Sequence, residues 1–227
     1  MLVTLAAGAL PCWAQYPEDY HPYSLEAGGG EAWVMGADKS NFEKLTVFQA
    51  GGSIALPGWG AKPPRRYNHD ISKPMYRRWN VFARAELLYG RAGIGEEAVQ
   101  QIIESNPQTP SLLSATGGEA KFYSATLGPR VQYSRERFNL YFQAGFGWFK
   151  RSIGLTGVAT EGSVLQPNNQ SVFGQGGNSG GAGGGVGADC EIPRLRGVRI
   201  FGEFGLLQGL AINHSTRLAP LSFGLRW

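Results

Sequence analysis

Residues 138–150 read FNLYFQAGFGWFK. Sorted by parity, Phe138, Leu140, Phe142, Ala144, Phe146 and Trp148 fall on one side, and Asn139, Tyr141, Gln143, Gly145 and Gly147 on the other. Successive side chains of a β-strand point to opposite faces. This stretch is therefore a strand with one apolar face and a polar reverse. An amphipathic helix would need apolar residues three and four apart, which is not the spacing here.

Seven further segments repeat the pattern. In 79–90, Trp79, Val81, Ala83, Ala85, Leu87 and Tyr89 oppose Asn80, Arg84 and Glu86. In 120–133, Tyr123, Ala125, Leu127, Pro129, Val131 and Tyr133 oppose Ser124, Thr126, Gly128, Arg130 and Gln132. In 198–208, Val198, Ile200, Phe204 and Leu206 oppose Arg199 and Glu203, while Phe201 and Leu207 intrude on the polar side. In 217–227, Ala219, Leu221, Phe223, Leu225 and Trp227 oppose Ser222, Gly224 and Arg226. Three fainter segments are 183–192, 45–56 and 23–34. They set Asp189 and Glu191, Gln49 and Ser53, and Ser24 and Glu26 against apolar neighbours. In 23–34, Glu31 falls on the apolar parity, which predicts a β-bulge near Gly28–Gly30. The glycines of 180–187 weaken the strand pattern there. The count is eight strands.

Composition agrees with an all-β chain. Of 227 residues, 34 are glycine, a poor helix former, and aromatics reach 12%. Charged residues are only 17%, below the usual quarter, and the net charge of +4 does not by itself suggest nucleic acid. The first stretch, MLVTLAAGALPCWAQ, is uncharged and apolar and ends in small residues suited to processing after Ala14. It reads as a signal peptide over 1–14, though it lacks a basic start. Residues 15–22 form a short N-terminal segment and 23–227 the barrel. After that cut Cys190 is the single cysteine, so no internal disulfide forms. No other stretch of about 18 apolar residues exists, which excludes a membrane helix.

Export without a spanning helix leaves a secreted β domain or a membrane barrel. A membrane barrel alternates apolar-out and polar-in over segments of about ten residues, with short turns at one end and long loops at the other. The connections 134–137 and 193–197 are tight, and 91–119, 151–182 and 211–216 are long or polar. The connection 57–78 breaks this rule and leaves the order of the first three strands open. Aromatics gather near strand ends (Tyr23 and Trp33, Trp79 and Tyr89, Tyr123 and Tyr133, Trp148, Trp227), as headgroup-level rings do.

These features resemble the small eight-stranded outer-membrane barrels of the OmpA transmembrane-domain and opacity-protein type. The resemblance covers the mature chain and rests on pattern, not on a diagnostic motif. It implies a closed antiparallel barrel in the bacterial outer membrane, with both ends on the periplasmic side. It further implies that Leu221, Phe223, Leu225 and Trp227 form the C-terminal signal read by the barrel-assembly machinery, with Trp in place of the commoner Phe.

Eight strands enclose a lumen just wide enough for side chains. The inward parity carries Glu26, Arg84, Glu86, Arg130, Gln132, Asp189, Glu191, Glu203 and Arg226. Unpaired charges there would be costly, so Arg84 and Arg130 are expected to pair with Glu86, Glu203 or Glu26. This reading is a structural plug. A narrow ion or solute pore gated by the same pairs, and a soluble exported barrel that binds a ligand, are the alternatives.

An enzyme reading fails on spacing. Lipid A deacylases of similar architecture carry a His and a Ser two apart near the last strands, with an acidic partner further on. Here His214 and Ser215 are adjacent and no acid follows. His21 and His69 lack metal-ligand spacing, so neither catalysis, cofactor nor metal is expected. Binding residues belong on the loops. Residues 95–105 have helical spacing of Ala98, Val99, Ile102 and Ile103, and 161–182 is low in complexity. The basic segment 62–78 holds Lys62, Arg65, Arg66, Lys73, Arg77 and Arg78 against Asp70. Contact with phosphates of membrane lipids or lipopolysaccharide is its functional reading. Nucleic acid is a poor partner for an exported chain, and an extracellular partner would meet the outer loops.

Overall fold

The computed structural model describes residues 22–36, 39, 42, 44–56, 79–95, 98–100, 112–114, 117–135, 138–156, 159–160, 171–173, 177–193, 195, 197–210 and 216–227. Among the described residues there are eleven strands: β1 (Tyr23–Met35), β2 (Leu45–Ala55), β3 (Trp79–Ile94), β4 (Leu112–Ser114), β5 (Gly117–Arg135), β6 (Phe138–Thr156), β7 (Ala159–Thr160), β8 (Ser171–Phe173), β9 (Asn178–Glu191), β10 (Arg199–Gly209) and β11 (Arg217–Arg226). The eight long ones form one closed antiparallel ring in chain order, with β11 pairing back onto β1. The last residue is held in the closure: Trp227 N–H donates to Leu25 O at 3.0 Å, and Leu25 N–H to Trp227 O at 2.8 Å. Of the short strands, β4 pairs with β7 and β8 with β6 beyond one end of the ring.

One end carries the close β5–β6 and β9–β10 connections, and the other the connections at 36–44, 95–116, 157–177 and 210–216. We call these the turn end and the loop end. The long 57–78 connection leaves and returns at the turn end, since Ala55 at the foot of β2 pairs with Phe82 near the foot of β3. It displaces no strand, so the first three strands lie in simple sequence.

Two expectations are corrected. The pairing of β1 runs without a shift from Glu26↔Arg226 to Met35↔Arg217, and from Tyr23↔Ile54 to Ala32↔Leu45. No bulge occurs at Gly28–Gly30. Glu31 instead stays on the outer face, beside the exposed Lys44 at 3.3 Å, because that face turns polar toward the loop end. Nor do the glycines of 180–187 weaken their strand: β9 holds an unbroken ladder with β6 from Phe138↔Cys190 to Lys150↔Asn178.

The outer surface is an apolar belt. Phe146, Leu127, Leu87, Phe223, Phe48 and Phe142 are each more than half exposed. Aromatics on the outer parity recur ten residues apart on four strands: Tyr23 and Trp33, Trp79 and Tyr89, Tyr123 and Tyr133, Phe138 and Trp148. Ten residues span roughly 33 Å of strand, which a tilt near 40° reduces to about 25 Å along the axis. That matches the apolar band of a membrane barrel. Ring pairs mark both borders, Trp79–Tyr133 at 5.0 Å and Tyr89–Tyr123 at 5.2 Å.

Candidate functional site

The inside of the ring has two storeys. Toward the turn end the inward positions are charged and polar. Toward the loop end the same parity becomes apolar, with Leu45, Val47, Leu88, Phe122, Phe149 and Ile153 almost fully buried in one cluster. Alternation alone decides which residues face inward; height along the strand decides their chemistry.

In the charged storey, the structure brings together Glu26, Arg84, Glu86, Arg130, Glu203 and Arg226 from five strands. Arg84 Nε donates to Glu26 Oε1 at 2.6 Å, Arg84 Nη2 lies 3.2 Å from Glu203 Oε2, and Arg84 Nη1 pairs with Glu86. Arg226 clasps the other Glu26 oxygen through Nε at 2.8 Å and Nη2 at 2.6 Å. Arg130 lies 3.6 Å from the same oxygen. Glu26 is thus shared by three guanidinium groups, a use that its place on β1 between β2 and β11 permits.

Two further hubs, Asp189 and Tyr141, complete the network. Asp189, 1% exposed, accepts from Arg130 Nη2 at 3.2 Å, from Asn139 Nδ2 at 2.8 Å, and from both Arg199 and Arg226. Tyr141 on β6 donates to Glu203 Oε2 at 3.1 Å while its ring carries Arg130 at 3.9 Å and Arg226 at 4.8 Å. Asp189 was visible as an inward carboxylate. Tyr141 was visible only as an inward aromatic among small polar neighbours.

Below this storey, Arg130 Nη2 also donates to Gln132 Oε1 at 2.7 Å. Above it, Ser222 Oγ donates to Gln49 Oε1 at 2.7 Å. The apolar storey then begins with Leu88 and Leu207, and three aromatics fill it: Phe122 meets Phe149 at 6.4 Å and Phe42, from the β1–β2 connection, edge-on at 5.7 Å. Ala98 and Val99 of a helical turn at 98–100, within the expected helix of 95–105, are buried in the same cluster. Most apolar residues of the inward parity sit in the loop-end half of their strands, although Phe82 and Phe201 are buried near the turn end. Phe201 and Leu207, the two apolar residues on the polar parity of 198–208, both point inward, 1% and 7% exposed: Leu207 joins the apolar cluster, and Phe201 lies under Arg226 in the charged storey.

On the outer face of β11, Phe223, Leu225 and Trp227 are exposed and Leu221 is half-buried. At the loop-end border, Lys44, Arg91, Lys121 and Lys150 lie on adjacent strands just above the Tyr89–Tyr123 pair. Glu119 pairs with Arg91 and lies 3.5 Å from Lys121. Lys62, Arg65, Arg66, Lys73, Arg77 and Arg78 lie outside the described residues, as do the leader 1–14, His21, His69, His214 and Ser215. Among the described residues no group of three or more His, Cys, Asp or Glu is placed to hold a metal ion.

The chain has the fold of the small eight-stranded outer-membrane barrels. The crystal structure of Neisserial surface protein A aligns with a TM-score of 0.50 at 13% identity, over 91% of this chain and 96% of that one. Ail, the attachment invasion locus protein of Yersinia pestis, in complex with the heparin analogue sucrose octasulfate, gives 0.45 at 17% identity over 90% and 97%. The N-terminal β-barrel domain of Pseudomonas aeruginosa OprF gives 0.39 at 10% identity over 90% and 97%. No protein-family model matches the sequence, and no curated protein matches it.

Proposed function

We propose that the chain is an integral protein of the bacterial outer membrane, with a closed lumen and a structural, surface-presenting role that involves no catalysis. One observation carries this reading. A single closed sheet is greasy outside, from Leu25 through Phe146 to Phe223, and holds its arginines and carboxylates inside. Hydrocarbon is the solvent that suits such an exterior, and a closed ring leaves no unpaired strand edge in it. The alternative of a soluble ligand-binding barrel would reverse this polarity.

Support for the closed lumen comes from its contents. The ion pairs and the apolar cluster occupy successive cross-sections of a ring little wider than its own side chains. Placing the turn end in the periplasm and the loop end outside follows the usual disposition of short turns and long loops. The outer strand face of Leu221, Phe223, Leu225 and Trp227 is then available to the barrel-assembly machinery at the periplasmic side.

Lipid partners follow from the two borders. At the loop end, Lys44, Arg91, Lys121 and Lys150 sit at headgroup height, suited to lipopolysaccharide phosphates. The basic segment 62–78 joins β2 to β3, whose facing ends lie at the turn end, so inner-leaflet headgroup phosphates are the contact we propose for its cations. An extracellular partner would meet the loop end, where Phe42, Ala98 and Val99 anchor two of the connections in the apolar storey.

Planar-bilayer recording tests the closed lumen. The refolded full chain should insert without discrete conductance steps. Reproducible unitary steps would overturn the proposal in favour of a narrow pore.

A further inference from the structure

We infer that the barrel interior holds a small monovalent cation in the cavity between its two storeys. The cavity, about 40 Å³, is bordered by Arg84, Glu86, Gln143 and Glu203 and roofed by Leu88 and Leu207. That is space for an ion together with a few waters. Much of the remaining wall is bare backbone, at Gly128, Gly145, Gly183 and Gly205.

Three observations point to a cation. The first is charge. Near the turn end, Arg130, Arg199 and Arg226 face Glu26, Asp189 and Glu191, three against three. At the cavity Arg84 alone faces both Glu86 and Glu203, which leaves one carboxylate in excess. Glu203 has further donors in Tyr141 and Gln143. Among the described residues, Arg84 is the one charged partner of Glu86.

The second observation is an orphan acceptor. Gln143 is 8% exposed and lines the cavity, its Nε2 committed to Glu203, and its Oε1 has no hydrogen-bond partner. Turning the amide over would set that oxygen against the Glu203 carboxylate, so the acceptor is fixed.

The third is a shortage of backbone donors. The β5–β6 ladder skips Gly128 and Pro129, resuming at Arg130↔Gln143. The β10–β11 ladder skips Gly205 and Leu206 opposite Ala219 and Pro220. Pro129 and Pro220 both border the cavity and bring no N–H, so the strands facing them lose ladder donors there. Carboxylate, amide and carbonyl oxygens with few donors are a hard-cation environment. Two carboxylates and neutral oxygens suit an alkali ion better than a divalent metal.

The test uses the full chain refolded in a neutral detergent. Its unfolding midpoint would be read by heat-modifiable gel migration in lithium, sodium, potassium and choline chloride at equal ionic strength. At least one alkali ion should raise the midpoint by about 3 °C over choline, the linkage expected when the ion is at roughly tenfold its dissociation constant. Glu86→Gln should melt alike in all four salts. The sodium-23 line should broaden with the native chain and not with Glu86→Gln; should that variant fail to fold, Gln143→Leu takes its place. Equal midpoints in every salt without line broadening would overturn the inference and leave a protonated Glu86 beside water. A salt-specific shift that survives Glu86→Gln would also overturn it, because the ion would then bind elsewhere.

Discussion

The ring of Tyr141 on β6 lies directly over Gly187, its cross-strand partner on β9, so closely that a Cβ on Gly187 would overlap the ring. The glycine is what lets the phenol lie flat along the wall, reach Glu203, and stack beneath Arg130 and Arg226. An aromatic ring covering a cross-strand glycine is a known way of pinning register in curved sheets. Gly187→Ala should therefore lower stability by about 1–3 kcal/mol, the usual cost of overpacking. Urea unfolding in lipid vesicles would show it. A silent substitution would mean that Tyr141 has another rotamer of equal energy.

Asp189 holds one storey together. It accepts from three arginines and an asparagine while nearly inaccessible. Removing the carboxylate by Asp189→Ala leaves guanidinium groups facing one another in a low-dielectric interior. The expected loss is about 3–5 kcal/mol, the range for breaking one side of a buried pair. Part of it should return when Arg226 is also replaced by Met, since the stranded charge is then gone. The same unfolding assay, run as a double-mutant cycle, checks this. Simple additivity would contradict the network.

Two phenylalanines on β6 make opposite predictions. Phe149 is packed inside against Phe122, and Phe146 is on the outer face, 73% exposed. Phe149→Ala should cost about 3–5 kcal/mol through the cavity it leaves. Phe146→Ala should cost much less in detergent. Arginine at Phe142, midway along the outer belt, should cost about 2–4 kcal/mol in a bilayer. A soluble barrel with an exposed Phe142 would tolerate that change, which makes vesicle stability the deciding measurement.

At the loop-end border the cations Lys44 and Lys121 stand near the paired Tyr89 and Tyr123. Reversing both to Glu should weaken association with phosphate-rich lipid by roughly 1 kcal/mol per side chain at low salt. Comparing unfolding midpoints in anionic and zwitterionic vesicles measures this. An equal change in both lipids would assign the two lysines to fold stability alone.

Much of the fold was legible because a sealed sheet between two solvents imposes a period of two on every strand. The alternation at 138–150 and 120–133 led to both the strands and their inward faces. Strand ends extended further than the amphipathic pattern, β5 and β6 to 19 residues each, because beyond the apolar belt the outer face no longer needs to be apolar. Glu31 misled for the same reason. The site was legible as a set of inward charges and in the pairing of Arg84 and Arg130 with Glu26, Glu86 and Glu203, but not in the part built on Asp189. Asp189 joins Arg130, Arg199 and Arg226 across the lumen, and such partners are fixed by shear and register, not by sequence distance. The apolar storey was less legible, because residues such as Leu207 stand as exceptions to a polar parity when each strand is considered alone. Considered by height, they are a second pattern superposed on the first.

The central claim is that lipid solvates the outer parity of each strand. It is tested most directly by placing single spin labels along 140–148, in a Cys190→Ala background, and measuring oxygen and aqueous nickel-complex access in vesicles. The account predicts high oxygen and low nickel access at 140, 142, 144, 146 and 148, with low oxygen access at the intervening sites. Nickel access at the even positions, or an alternation of the opposite phase, would contradict it.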